Sequence, residues 1–146
     1  MSLDLARYQG LFYEVYRQNA YFEFLCKTQS YNQQSTVTAN YTLLDKETMK
    51  VVNKCSSIYN GIISVEGTAK KDVNLPENQL VLTFDFPGNN TSSIYQIFYT
   101  DYDNFSIVGN LETGYLSFLS RTSSISDANY NLLCALAISY GFKIIG

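Results

Sequence analysis

The feature that most limits the fold is a train of short alternating segments. From Gly10 to Arg121, runs of about eight residues alternate apolar and polar side chains, and turn residues close each run. The runs read as strands over 11–18, 36–44, 49–56, 62–70, 79–86, 94–100, 104–110 and 114–121. Side chains on a strand point to opposite faces in turn. Leu80, Leu82, Phe84 and Phe86 therefore share one face, and Val37, Ala39, Tyr41 and Leu43 another. The punctuation is explicit: Asp45-Lys46-Glu47-Thr48, Asn60-Gly61, Leu75-Pro76-Glu77-Asn78, Pro87-Gly88-Asn89-Asn90, Asp101-Tyr102-Asp103 and Glu112-Thr113-Gly114. Short strands so evenly spaced predict an all-β antiparallel barrel or sandwich rather than a parallel sheet.

After Arg121 the period changes. Ser126-Asp127 reads as a helix cap with an acidic first turn. Tyr130, Leu133, Leu136, Ala137 and Tyr140 then recur at helical spacing, and Gly141 followed by Phe142 reads as the stop. One helix over about 126–140 is expected against the outside of the sheet, with Leu132, Cys134 and Ile138 widening its apolar face. The segment Cys26–Ser35 is polar and is the longest loop, expected at one mouth of a barrel. The whole chain, 1–146, reads as one domain.

Composition narrows function. Hydrophobic residues make up 46% and charged ones only 16%, with 13 Tyr and 9 Phe, which favours strands. The net charge is −3 and the densest basic spot is Lys70-Lys71, so nucleic acid is not an expected partner. There is no His, which excludes a Ser-His-Asp triad, a Cys-His dyad, a His-ligated haem and a Cys/His zinc site. Cys26, Cys55 and Cys134 lack C-x-x-C spacing, so neither metal nor cofactor is expected. No apolar run approaches the ~18 residues of a membrane-spanning helix. The opening Met1-Ser2-Leu3-Asp4-Leu5 lacks signal-peptide character and reads as the start of a trimmed mature form, with a strand following almost at once. Sequons such as Asn40-Tyr41-Thr42 arise readily in an Asn-rich chain and carry no argument.

Local motifs sharpen the picture. Gly10-Leu11-Phe12-Tyr13-Glu14 resembles G-x-W-Y-E, the first lipocalin signature, with Phe12 in place of Trp. Thr100-Asp101-Tyr102 resembles the second, at the turn between the sixth and seventh strands, and Leu119-Ser120-Arg121-Thr122 the third. Val37-Thr38-Ala39-Asn40-Tyr41, Val51-Val52-Asn53-Lys54-Cys55, Val65-Glu66-Gly67-Thr68-Ala69 and Tyr115–Arg121 are similar to the bacterial outer-membrane lipocalins and the apolipoprotein D branch. The likeness runs over about residues 4–145. It implies an eight-stranded up-and-down antiparallel β-barrel with one C-terminal helix outside it. Two departures stand out: an insertion after Cys26, and the lack of Trp, which removes the usual aromatic plug from the closed end.

The resemblance also implies roles. Gly10, Phe12, Thr100, Asp101 and Arg121 are structural, with Arg121 lying over Phe12 at the closed end. The cavity candidates are Val37, Ala39, Tyr41, Val51, Asn53, Leu82, Phe84, Tyr95, Ile97, Tyr99, Val108, Tyr115 and Ser117. Small Ala39 and Ser117 among bulky neighbours mark open space, and the Tyr hydroxyls would hold a polar head. Glu14 either meets the ligand or faces solvent or a basic neighbour. Ends of the second and third strands meet in an antiparallel pair, and relatives carry cysteines there. A Cys26–Cys55 disulfide is therefore implied under oxidising conditions, with Cys134 a buried thiol; a register shift from the insertion would instead leave two free thiols.

The expected function is non-catalytic carriage of a small hydrophobic ligand such as a fatty acid or lysophospholipid. Two other readings stand beside it. One is an interaction scaffold gripping a partner with the Cys26–Ser35 loop. The other, ranked lower, is a lipid-modifying enzyme with a cysteine or carboxylate facing the cavity. The resemblance implies a periplasmic, outer-membrane-anchored or secreted protein, with membrane association through a lipid anchor outside this chain. Oligomeric state is left open.

Overall fold

Alternation is realised as eight strands in a computed structural model that describes residues 2–20, 25–86 and 89–145. They are β1 (Gly10–Gln18), β2 (Thr38–Asp45), β3 (Thr48–Ser56), β4 (Ile62–Lys71), β5 (Gln79–Phe86), β6 (Asn89–Thr100), β7 (Phe105–Asn110) and β8 (Tyr115–Ser120). Each pairs antiparallel with the next, and β8 returns to β1 to close the barrel. Closure removes every free sheet edge along the paired stretches. The turns β2–β3, β4–β5 and β6–β7 lie at one end, and β3–β4 and β7–β8 at the other, the mouth.

Two departures from the alternation pattern have plain causes. β6 starts at Asn89 rather than near 94, because the polar stretch Asn89–Ser93 pairs by backbone with Leu82–Phe86 although its composition reads as a turn. Pro87 and Gly88 of that expected turn lie outside the described residues. Ahead of β1, where a strand was expected almost at once, Leu5–Tyr8 forms a helical turn, α1. Asp4 caps it, its Oδ1 accepting from the Arg7 N–H at 3.2 Å.

The second helix, α2 (Asp127–Ser139), begins where Ser126 Oγ accepts from the Asn129 N–H at 3.2 Å. It ends before Gly141, whose φ of 110° is the left-handed stop. Leu133 and Ala137 are buried against the outer wall with Val15, Phe98, Ile107, Leu116, Phe118, Ile125 and Phe142. Leu132 and Ile138 are more than half exposed, so the apolar face is narrower than the sequence implies. A separate cluster fills the barrel itself, among it Tyr8, Phe12, Met49, Leu80 and Ile97. Burying one such side chain contributes roughly 1.5–3 kcal/mol.

The loop after Cys26 does not sit over the mouth. β1 and β2 pair only from Gly10↔Tyr41 to Tyr13↔Thr38. Beyond Tyr13, residues 27–35 run as a strap down the outside of β1 towards α2. The Lys27 N–H donates to the Ser56 carbonyl at 2.8 Å, the Ile125 N–H to the Tyr31 carbonyl at 2.9 Å, and the Ser35 N–H to the Ser123 carbonyl at 2.8 Å. Ser35 Oγ donates to the Glu14 carbonyl at 2.6 Å. Tyr31 stacks on Tyr130 of α2 with centroids 3.9 Å apart, and its hydroxyl donates to Asp127 Oδ1 at 2.8 Å.

Candidate functional site

The barrel interior changes character from bottom to top. At the closed end Arg121 Cζ lies 3.6 Å from the Phe12 ring centroid. Its guanidinium donates to the carbonyls of Tyr102 at 2.8 Å, Leu11 at 3.1 Å, and Arg7 and Tyr8 at 3.4 Å each. One planar cation thus ties β1, α1 and the β6–β7 turn together. Gly10 is required beneath it: φ is 106°, and a Cβ there would stand 3.2 Å from Arg121 Nη1. The Thr100-Asp101-Tyr102 turn is held from within. Asp101 Oδ1 accepts the N–H groups of Asn104 at 2.9 Å and Phe105 at 2.8 Å, and Thr100 Oγ1 donates to the Phe105 carbonyl at 2.8 Å. Partial burial works to raise the Asp101 pKa, but these hydrogen bonds outweigh it and hold the carboxyl below its usual range.

Absence of Trp does not leave this end unplugged. Tyr8, delivered by α1, packs 5.0 Å from Phe12 and stacks 5.1 Å from Tyr41. The hydroxyls then form a chain: Tyr41 to Tyr95 at 2.8 Å, Tyr95 to Tyr8 at 3.1 Å, and Tyr8 to Ser106 Oγ at 2.6 Å. Burial pushes the Tyr8 hydroxyl up to about 12 and drives Tyr41 and Tyr95 well above the ordinary tyrosine range. All three stay neutral near pH 7, so they serve as hydrogen-bonding groups. Tyr41 and Tyr95 were expected to offer hydroxyls to a ligand head, but they are engaged with each other in the floor. α1 was the element the strand pattern missed; Asp4 before the apolar pair Leu5 and Tyr8 was its only signal.

Above the floor, Val51, Ile97 and Val108 are almost fully buried, with Ala39 at the margin. Ser117 is wholly buried as well, and the space beside it is occupied. Its hydroxyl donates to Glu14 Oε2 at 2.7 Å, and Glu14 Oε1 lies 3.6 Å from Arg17 Nη1. The small side chain at 117 marks a seat for a carboxylate, not a void. Of the readings open for Glu14, an internal ion pair is the one observed. Val37, just before β2, is buried, and its carbonyl accepts from the Glu14 N–H at 2.9 Å.

The upper third is different. Asn53, Val65, Leu82, Phe84 and Tyr115 continue the inward alternation and are each partly exposed. Phe84 pairs with Gly67, where a Cβ would come within 2.2 Å of the Thr83 carbonyl oxygen, so only glycine fits beside it. Tyr99 does not belong with them. A bulge between Ile97 and Tyr99 inverts the alternation, and Tyr99 packs outside the barrel with the α2 cluster.

The mouth is braced by the Cys26–Cys55 disulfide. Cys134 is a free, partly exposed thiol packed between α2 and the outer wall, away from the interior, so it supplies no nucleophile there. A cavity of about 450 Å³ lies between the strap, β1 and α2, lined by Glu14–Arg17, Thr28–Tyr31 and Tyr130.

Comparison with known proteins adds context to this geometry. A family model described as a lipocalin-like domain matches residues 3–145. A protein of Acanthamoeba polyphaga mimivirus named as a lipocalin is 32% identical over 152 residues, covering 98% of this chain and 81% of that one. Insecticyanin from the tobacco hornworm Manduca sexta superposes with a TM-score of 0.69 at 18% identity, covering 95% of this chain and 73% of the other. The cockroach allergen Per a 4 does so at 0.64 and 23%, covering 95% and 82%. The siderocalin Ex-FABP, described as acting through dual ligand specificities, gives 0.61 and 16%, covering 94% and 89%.

Proposed function

Because the chain belongs to the lipocalin-like family, whose members bind small hydrophobic ligands and are generally not enzymes, we propose that it carries a fatty acid, lysophospholipid or similar molecule in the upper part of its barrel. The observation that carries this reading is the gradient along one inward face. Residues at the floor are sealed, whereas Asn53, Leu82, Phe84 and Tyr115 higher up the same face are partly exposed. A cup closed below by hydroxyls and aromatics and open above suits a guest that enters tail first. Val51, Tyr95, Ile97 and Val108 back the tail; Ala39, Tyr41, Val37 and Ser117 complete the wall behind them. Transfer of a twelve-carbon chain from water contributes on the order of 10 kcal/mol at ~0.8 per methylene, less the entropy of immobilising it.

The bridge fits an oxidising compartment, and export or secretion is part of the same reading. So is the finer likeness to the bacterial outer-membrane and apolipoprotein D branch, which rests on the strand motifs quoted above.

Displacement of a fluorescent fatty-acid probe tests the proposal. Leu82→Trp, which fills the cup at a partly exposed position, is expected to weaken binding at least tenfold, about 1.4 kcal/mol. It should leave the denaturation midpoint close to wild type. Equal affinities in variant and wild type would move the ligand out of the cup, towards the cavity under the strap. Native mass spectrometry of freshly purified protein with no retained lipid, together with no probe binding, would end the carrier reading.

A further inference from the structure

The hydroxyl chain in the floor has a proton to spare. It contains four groups, the hydroxyls of Tyr41, Tyr95, Tyr8 and Ser106, joined by three hydrogen bonds. Among the described residues these three are the only hydrogen bonds that the four hydroxyls make. Each hydroxyl has one proton to donate and two lone pairs. Whichever way the three bonds run, they use three of the four protons, and one O–H is left without an acceptor. All four groups are at least nine-tenths buried: Tyr8 and Ser106 are 0% exposed, Tyr41 4% and Tyr95 9%. A buried donor without a partner is costly, and native interiors rarely keep one.

Packing says where an acceptor can reach it. Tyr41 and Tyr95 keep the only residual surface of the chain, and both occupy inward positions, opposite Val51 and Leu80. The inward residue directly above Tyr41 on β2 is Ala39, which carries only a methyl group. When Ser106 donates to Tyr8, Tyr8 to Tyr95 and Tyr95 to Tyr41, the spare O–H falls on Tyr41. The reverse order leaves it on Ser106, which is sealed. An acceptor coming down the cup favours the first order. Its chemistry follows too. Arg121, the cation of the floor, lies against Phe12 and already donates to four backbone carbonyls. A single hydroxyl proton does not offset the desolvation of a carboxylate. An alcohol would bring a further proton and leave one donor over again. A ketone, ester or ether oxygen accepts the spare proton and adds none.

We infer that the preferred guest carries a neutral, acceptor-only oxygen at the end of its chain that enters first, where it accepts from the Tyr41–Tyr95 end of the hydroxyl chain. This rests on the proposed carrier function and narrows its ligand class, from plain alkyl tails to tails oxygenated at the far end.

Competition against the fluorescent fatty-acid probe compares two acids of equal length, one unsubstituted and one with a ketone one carbon from its tail end. The pair is run over a series of chain lengths. In wild type the keto acid should bind about fivefold more tightly at the length that reaches the floor. Tyr41→Phe combined with Tyr95→Phe removes both hydroxyls that face the cup. It should reverse the preference, so that the plain acid binds more tightly. Circular dichroism and thermal unfolding establish that the variant is folded, and the wild-type comparison stands without it. A keto acid no better than the plain acid at any length would overturn the inference, the spare proton then being met by water. The carrier reading would survive that result. A preference unchanged in the double variant would also overturn the inference. Displacement of the probe by neither acid would end the carrier reading and this inference with it.

Discussion

Phe12 and Phe84 stand on the inward face of one barrel, and their surroundings differ in every respect. Phe12 is wholly buried, with Tyr8 and Tyr41 against it and a guanidinium over its face. Phe84 is partly exposed and packs beside a glycine. The same alternation produced both positions. What separates them is closure: α1 and Arg121 cover the lower end, and nothing comparable among the described residues covers the upper one. Stability is therefore concentrated at the floor, and the capacity to take up a guest at the mouth.

Truncation tests that division directly. Phe12→Ala should cost about 3–5 kcal/mol in urea denaturation. Phe84→Ala should change stability by less than about 1 kcal/mol while weakening fatty-acid binding. Similar losses in both would erase the contrast between the two ends.

Opening the disulfide acts on the mouth alone. The bridge spans 29 residues, and a loop of that length is worth roughly 3–4 kcal/mol of unfolded-state entropy. Reduction should lower the denaturation midpoint accordingly while the near-ultraviolet tyrosine signal of the floor persists below the transition. Loss of that signal on reduction would show the two ends to be one cooperative unit.

Alkali acts on the floor. The folded Tyr8 pKa of about 12 lies above that of an exposed tyrosine, about 10, so the unfolded chain loses its proton first as pH rises. This contribution is fully present below pH ~10 and is lost between pH ~10 and ~12, by about 3 kcal/mol from Tyr8. Denaturation across that interval should steepen in wild type, and less so in Tyr8→Phe. At the same floor, partial exposure tempers the hydrogen bonds of Arg121. Arg121→Ala should cost roughly 1–3 kcal/mol without altering ligand affinity.

Period-2 alternation was enough to find the strands, because each has one face on a core and the other towards water. It failed where that condition fails. The stretch Asn89–Ser93 is polar and is held in β6 by its backbone pairing with β5, with Ser92 Oγ also hydrogen-bonded to Thr83 Oγ1 at 2.8 Å. Tyr99 was assigned inward because alternation was extended across a bulge that no residue announces. Ser117 was read as empty space because a sequence does not reveal that Glu14, 103 positions earlier, comes to lie beside it. Cys26 and Cys55 were legible as a pair from the family resemblance, but Cys26 lies ahead of the strap rather than at the start of β2 and reaches β3 through an isolated bridge to Ser57. The path of the strap was not legible, since it depends on tertiary partners such as Tyr130 and Ser123.

Those tertiary partners bear on time as well as on strength. The floor joins residues far apart along the chain: Tyr8 meets Ser106 across 98 positions and Arg121 meets Leu11 across 110. Hairpins β3–β4 and β5–β6 can assemble locally, but the floor must wait until the first and last strands have met. A keystone set so late belongs to contacts formed after the rate-limiting barrier. Weakening it should leave the refolding rate almost unchanged and speed unfolding instead. The hydroxyl chain and its arginine cover thus govern how long a folded barrel survives, independently of how quickly it is made.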